Sequence, residues 1–405
     1  MVKRAYVSFL VLVVFLSVAF VHIGPVFGAE RNEIRIGAVN SLTGMDAMMS
    51  AEKKWAYEQA VADINKKGGV YVKESGKKLP IKLIFADDKS AVDQAAAAME
   101  RLIKINKIDL ALSSSTIIKN LAAATVSEKY KIFHLMDTGW IDQVEAQKYK
   151  WTADFFLVAP NTSRVPFYIW DTLPEGEKIK RPALMMIDNQ SAFGFGETFR
   201  HWAKEHGYQF VMDEPYPEMT KDFSSYILKM KAADADALLI LAAPTDAITV
   251  MRQIRDANLK LRYIHGWAGF WPTEFMQGLG KDANYVIHDG FWTEKSGYPG
   301  ASELGVRYKK AFGKDSVSVG QTYAAVQILA MAIEKAGSVS SEKVRNAVFG
   351  GEFKGTTNGD MKFNDKGLAE TSSIALQWWN GERMPVWPPV KNAKNPWKLK
   401  LMPVE

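Results

Sequence analysis

The chain has no cysteine in its 405 residues. That excludes disulfides, zinc–thiolate sites, cysteine nucleophiles and lipid attachment through an N-terminal cysteine. It does not exclude export, because a chain long enough for about two domains of ~100–200 residues buries adequate cores without staples. Histidine is scarce, six in all. His201 and His206 have the wrong spacing for either zinc-protease helix motif and read as helix-surface residues. There is no Gly-x-Ser-x-Gly elbow and no phosphate loop ending in Gly-Lys-Ser/Thr. Gly194-Phe195-Gly196 opens a helix after a strand, but Phe199 stands where a dinucleotide fingerprint needs its third glycine. The carboxylate pairs Asp87/Asp88 and Asp234/Asp236 lie near strand ends and read as turn residues. No catalytic residue, metal ligand set or cofactor signature emerges. The formal charge is +6, yet Lys and Arg are mixed with acids along the chain. No basic block reads as a nucleic-acid footprint.

With 47% apolar and 24% charged residues, the composition is that of an ordinary globular protein. The N-terminus has the order of a secretory signal peptide. Lys3 and Arg4 precede an almost unbroken apolar run from Ala5 to Phe20. Gly24 and Pro25 interrupt it, and Val26-Phe27-Gly28 offers small residues at the two positions a signal peptidase reads. An uncleaved anchor is the alternative, since the run nearly reaches the ~20 residues of a span. No later run of 18 apolar residues exists, so the mature chain is expected to be soluble and extracytoplasmic.

From Glu33 onward, strand-like apolar runs alternate with helical patterns. Strands are expected at Ile34–Val39, Ile81–Phe85, Ile108–Leu112 and Ile132–Met136. Helices fall between them at Ser50–Asn65, Ala91–Ile105 and Ile117–Tyr130. In the first, Ala56, Ala60 and Ile64 share one face. A second series begins after Arg181, with strands at Ala183–Ile187, Phe210–Met212, Ala237–Leu241 and Tyr263–His265. Its helices are Gly194–His206, Phe223–Ala233 and one capped by Thr245. This rhythm implies an α/β chain with two parallel sheets in tandem, each covered by helices on both faces. The tail from Met384 carries four prolines before Lys398 and reads as an extended surface segment.

An open α/β sheet binds ligands at the carboxyl ends of its strands. There the first sheet offers Ser41–Gly44, Ser113–Thr116 and Asp137–Trp140. The serine run is either an anion cradle at a helix N-terminus or a plain N-cap. The second sheet offers Asp188–Phe193, Ala242–Thr245 and Gly266–Trp271. Trp267, Phe270 and Trp271 suggest either an apolar wall facing a ligand or ordinary packing between lobes.

The chain also resembles the branched-chain amino-acid type of periplasmic binding protein, the type I solute receptors of ABC transporters. The resemblance rests on Ile34–Gly44 (IRIGAVNSLTG), Ala60–Val70 (AVADINKKGGV), Leu83–Ser90 (LIFADDKS), the serine run at Ser113, Ala192–Gly196 (AFGFG), Lys221-Asp222-Phe223 and Thr322–Gln327 (TYAAVQ). These follow one another in the family's order over nearly the whole mature chain.

The resemblance implies two doubly wound parallel-sheet lobes joined by three crossovers, near Lys150, Val286 and Gly359. The first lobe would then hold residues 32–150 and 287–359, and the second 151–286 and 360–405. It implies a monomeric, non-enzymatic receptor that closes on a small molecule and delivers it to a membrane permease, without nucleic acid or cofactor. Carried over by position, Ser113 and Ser114 match the serines that hold a ligand carboxylate. Asp137 and Thr138 fall near a loop that helps bind the ligand head, with Trp140 beside them. Phe193 stands where the family often has Tyr, and Met49 where an aromatic often covers the ligand. One departure matters. The second-lobe loop at Gly266–Gly269 lacks the acid that meets an amino acid's ammonium, and an unpaired buried ammonium costs several kcal/mol. Either Asp137 supplies the counter-charge, or the ligand is not an α-amino acid. The aromatics favour an apolar or aromatic ligand with one polar end. A periplasmic sensor subunit and an exported α/β enzyme are the competing readings.

Overall fold

The computed structural model describes residues 31–388 and 397–403. The expected signal segment, 1–28, lies outside the described residues. The described residues form two main sheets, of six and seven strands, besides two two-stranded ribbons. In the first, Ile34–Asn40 (β1) pairs in parallel with Ile81–Asp87 (β2) on one side and Leu110–Leu112 (β3) on the other. His134–Met136 (β4) and Thr152–Phe156 (β5) continue it, all parallel. The second sheet takes Pro182–Ile187 (β6), Met212–Tyr216 (β7), Ala237–Leu241 (β8), Tyr263–Gly266 (β9) and Ile287–Gly290 (β10), also parallel. The chain then returns to the first sheet with Leu368–Glu370 (β11), beside β5. It ends in the second with Ile374–Trp379 (β12) and Glu382–Trp387 (β13), an antiparallel pair on the β10 edge. The lobes are thus α/β layers linked by three passages of the chain.

Helices cover both faces because parallel strands joined by right-handed crossovers leave no other arrangement. Those that frame the site are Ala47–Lys66 (α1), Val92–Lys104 (α2), Ile117–Tyr130 (α3), Gln190–Glu205 (α4), Pro244–Asp256 (α5), Ala301–Phe312 (α6) and Val319–Ala336 (α7). One face of the first sheet packs on α1, α6 and α7 through Tyr57, Tyr308 and Ile328, the other on α2 through Met99 and Leu102. The central strand β8 is buried along its whole length, as a strand covered on both faces must be. No helix among the described residues is long and apolar enough to cross a membrane.

The passages between sheets come later than Lys150, Val286 and Gly359. They follow Phe156, Gly290 and Glu370, because β5 and β11 pair in the first sheet and β10 in the second. Two of the missed strands, β5 and β10, hide polar residues in buried places. Asp154 sits in β5, and His288 and Asp289 in β10, all at most 2% exposed, so neither reads as an apolar strand. Residues 360–370 consequently belong with the first lobe. The tail differs too. Its first part is β13, and Lys400 and Met402 hydrogen-bond to Gln377 and Arg262, so it is not simply a surface segment. Thr245 does not cap α5 but lies inside its first turn, after Ala243 and Pro244.

Candidate functional site

A cavity of ≈ 670 Å³ lies at the carboxyl ends of the first sheet's strands and is closed from the other side by the second lobe. The first lobe supplies the start of α1, Ser115, Asp137 and Thr138, and the segment from Lys314 to Thr322. The second lobe supplies Trp271 to Glu274 and Arg383. Phe156 and Phe291, at the first two passages, form its floor.

The polar wall is built from two buried networks. In one, Asp137 Oδ1 accepts hydrogen bonds from Lys53 Nζ at 2.6 Å, Tyr57 OH at 3.0 Å and the Ser113 hydroxyl. Lys53 Nζ also donates to Thr138 Oγ1 at 2.6 Å, which leaves one of its three protons over. Burial holds the Lys53 ammonium below its ordinary pKa, opposed by the charge of Asp137. Asp154 lies behind this pair. Burial, and then the charge of Asp137, push its carboxyl well above the usual range. In the other network Asp88 accepts from Ser41 and Ser114 at 2.6 and 2.7 Å. Lys119 joins Ser41, Ser115 and Asp46 and stands 3.8 Å from Asp88. Asn120 ties the loops together, accepting from Ser114 N and donating to Thr138 O.

Glu52, next to Lys53, is held differently. It accepts from the hydroxyls of Tyr308 (2.6 Å), Ser316 and Ser318, all neutral donors from the other end of the first lobe. Gln321 spans the backbone of β4 and β5, donating to Asp137 O at 3.0 Å and Phe155 O at 3.1 Å.

The apolar floor is a file of rings that crosses from lobe to lobe. Successive centroids are 5.7 Å apart for Phe195 and Trp140, 5.2 Å for Trp140 and Phe156, 4.9 Å for Phe156 and Phe291, and 5.1 Å for Phe291 and Trp271. Trp271 is pinned twice. Its Nε1 donates to Asp289 at 2.6 Å, and its carbonyl accepts from Arg383, whose guanidinium also pairs with Asp315 of the first lobe. Burial pushes the Asp289 carboxyl up to about 7.

Of the residues singled out from sequence, Asp137 and Thr138 line this cavity, whereas Trp140 does not and packs against Phe156. Ser113 and Ser114 stand just behind it, fully buried with their hydroxyls on Asp137 and Asp88; Ser115 is the serine that reaches the cavity. Nor is the run an N-cap, since α3 starts from Thr116 without a side-chain cap. Asp88 is likewise more than a turn residue. Trp267 and Phe270 are corrections. Trp267 stacks on His265 at 4.5 Å and meets Phe199 edge-on inside the second lobe. Phe270 lies so close over Gly266 that a Cβ there would overlap its ring. Both are core, and Trp271 alone of the three faces the cavity. Phe193 is 40% exposed and away from it. The Met49 side chain lies outside the described residues.

Glu52, Lys53, Lys119, Phe156 and Phe291 went unnoticed. A signal for the first two existed: Glu52 is four residues before Ala56 and Lys53 three, which puts both beside the buried Ala56–Ala60 face. Lys119 is likewise four residues before the buried Ala123.

The family model for periplasmic binding proteins matches residues 33–382. The Leu/Ile/Val-binding protein homolog 7 of Brucella melitensis is 24% identical over 378 residues, covering 88% of this chain and 92% of its own. A putative branched-chain amino acid ABC transporter protein from Silicibacter pomeroyi superimposes with a TM-score of 0.78 at 19% identity, over 91% of this chain and 99% of that one. The isoleucine-bound substrate-binding protein LivJ from Streptococcus pneumoniae gives a TM-score of 0.70 at 21% identity, over 87% and 98%. With two sheets, three passages and a cavity between them, and with a family match from 33 to 382, the chain belongs to the periplasmic binding protein family.

Proposed function

We propose that the protein is the extracytoplasmic receptor of an ABC transporter, exported by residues 1–28. It holds a small apolar or aromatic solute with a polar head, such as an amino acid, carboxylate or amide, and passes it to the permease. The observation that carries this reading is the composite lining: one cavity of ≈ 670 Å³ takes walls from both lobes and its floor from two of the passages between them. That volume suits a small organic molecule, since such sites span about 300–1,000 Å³. A solute touches every wall only when the lobes meet, so its preference for that state drives closure. Swinging a 1:99 population to 99:1 takes about 5.5 kcal/mol of such preference. The isoleucine held by the Streptococcus relative supports an amino-acid-sized occupant.

The test is thermal unfolding of the mature protein against amino acids, aliphatic and aromatic carboxylates, amides and urea. A solute at a hundredfold excess over Kd stabilises the fold by about 2.7 kcal/mol. A shift with any of these solutes supports a receptor. A flat response to the whole panel counts against it.

A further inference from the structure

We infer that the first lobe carries a second binding site, at its end away from the cleft, for an organic anion with an apolar body. This site is independent of what the cleft binds.

A cavity of ≈ 550 Å³ lies where the helix Ile141–Ala146, the end of the helix Ser341–Val348 and the turn into β11 come together. Thr152 and Leu368, the first residues of β5 and β11, line it. The cleft takes Phe156, the last residue of β5, so the two cavities sit at opposite ends of one sheet and share no lining residue. The volume suits a small organic molecule, for which sites run about 300–1,000 Å³.

The lining divides by chemistry. Val144, Leu368 and the rings of Tyr149 and Phe349 make it apolar within. Four cationic side chains, Lys148, Lys150, Arg345 and Lys366, stand against two carboxylates, Glu145 and Asp365. The acids nearby are largely engaged. Glu145 pairs with Lys366 at 2.6 Å. Glu128 accepts from the backbone N–H groups of Lys150 and Trp151 at 2.8 and 2.6 Å, and from the Thr152 hydroxyl at 3.0 Å. Lys148, Lys150 and Arg345 have no carboxylate partner among the described residues, and Asp365 alone is left to offset the three.

An unpaired lysine on a surface is merely solvated and needs no partner. Arg345 is different, because it is held in place. Its guanidinium lies over the Phe349 ring at 4.1 Å. Nε donates to the Lys150 carbonyl, and Nη1 donates to Asn346 at 2.8 Å. Of its five donors the rest stay open. A guanidinium fixed before the ligand arrives can pair with a carboxylate or sulfonate at little further cost in ordering. The two lysines add charge on the same rim, and the apolar lining takes the body. A neutral molecule would leave the excess charge unmatched, and a cation would add to it.

The experiment is calorimetric titration of the mature protein with 2-naphthoate, beside 2-naphthylmethanol and 2-naphthylmethylamine, which share its body without its charge. The carboxylate binds, and the alcohol and the amine bind about tenfold weaker or more. Arg345→Gln and the double variant Lys148→Gln/Lys150→Gln each weaken the carboxylate about tenfold, and Trp271→Ala in the cleft does not. Lys148 and Lys150 are exposed, so the double variant keeps the parent's Tm and remains a test even if R345Q unfolds. Two bound equivalents, of which the basal variants lose one and Trp271→Ala the other, also support the site. No binding of 2-naphthoate, or the alcohol binding as tightly as the carboxylate, overturns the inference. So does a loss confined to Trp271→Ala, which puts the anion in the cleft and leaves the receptor reading standing.

Discussion

The strand-end loops of the first lobe put Asp88, Ser113, Ser114 and Asp137 under cover, whereas the corresponding loop of the second puts Trp267 and Phe270 there. Both lobes bury the residues next to the cavity, but for different ends. In the first lobe the buried groups are ions and hydroxyls that fix Lys53, Thr138 and Ser115 at the wall. In the second they are rings that anchor a loop so that Trp271, alone of its three aromatics, reaches the cleft. A recognition wall needs charges held in register, and a covering wall needs only a rigid apolar face. The difference between the lobes is therefore a division between selecting a head group and enclosing a body.

The largest effects should separate these two kinds of burial. Lys53→Met leaves Asp137 buried with its charge unmatched, and breaking such a pair costs about 3–5 kcal/mol. Thermal unfolding should show a drop of several degrees, and Asp137→Leu added to Lys53→Met should recover much of it, because two apolar groups need no partners. If K53M unfolds like the parent, the first wall is not held by this pair. In the second lobe, Trp267→Ala should cost about 3–5 kcal/mol as a core truncation. Trp271→Ala, four residues along, should cost much less stability and weaken ligand binding about tenfold. Equal effects of the two on Tm and affinity would erase the distinction between core and cover.

That contrast also marks what the sequence made legible. The alternation of strand and helix is carried by apolar runs such as Ala237–Leu241, and it survives in both sheets, with β5, β10 and β11 added and the strand expected at Phe210–Met212 moved to Met212–Tyr216. The polar loops at Ser113 and Asp137 were visible because short polar residues directly after a buried strand mark either a cap or a ligand-facing loop. Lys53 and Glu52 were not, because charged residues on a helix normally face water; only their register with Ala56 and Ala60 gave them away. The crossovers shifted because Asp154, His288 and Asp289 sit in strands, where burial of a polar group is a tertiary fact. Trp267 and Trp271 are indistinguishable by composition, and which of them faces the cleft depends on a ring packing over Gly266.

A pH test follows from Asp289, the acceptor for Trp271 Nε1. Burial raises its pKa from 3.8 to about 7, so the fold keeps a proton that the unfolded chain releases. Stability from this group is present below about 3.8 and is lost as pH rises toward 7, at up to about 1.4 kcal/mol per pH unit. Asp289→Asn keeps an acceptor for the indole and removes the titration. Unfolding followed from pH 4 to pH 7 should decline less steeply, relative to pH 4, in the variant than in the parent. Parallel curves would mean that Asp289 does not carry a proton in the fold, and that the covering wall is less dry than the recognition wall.

The smallest effect concerns a ring contact between the two lobes. Phe195, half-buried on α4 of the second lobe, meets Trp140 of the first edge-on at 5.7 Å. An aromatic pair of this kind is worth about 0.5–1.5 kcal/mol beyond its area. Phe195→Leu removes the ring but keeps the apolar bulk that packs on the second lobe's core, so the ligand-free Tm should barely move. The affinity should fall by a few-fold at most, because only a contact between the lobes is weakened. Titration of F195L beside Trp271→Ala then ranks the two: a loss in F195L as large as that in Trp271→Ala would place the energetic centre of closure at the Trp140 end of the ring file, and a smaller loss keeps it at the Trp271 end.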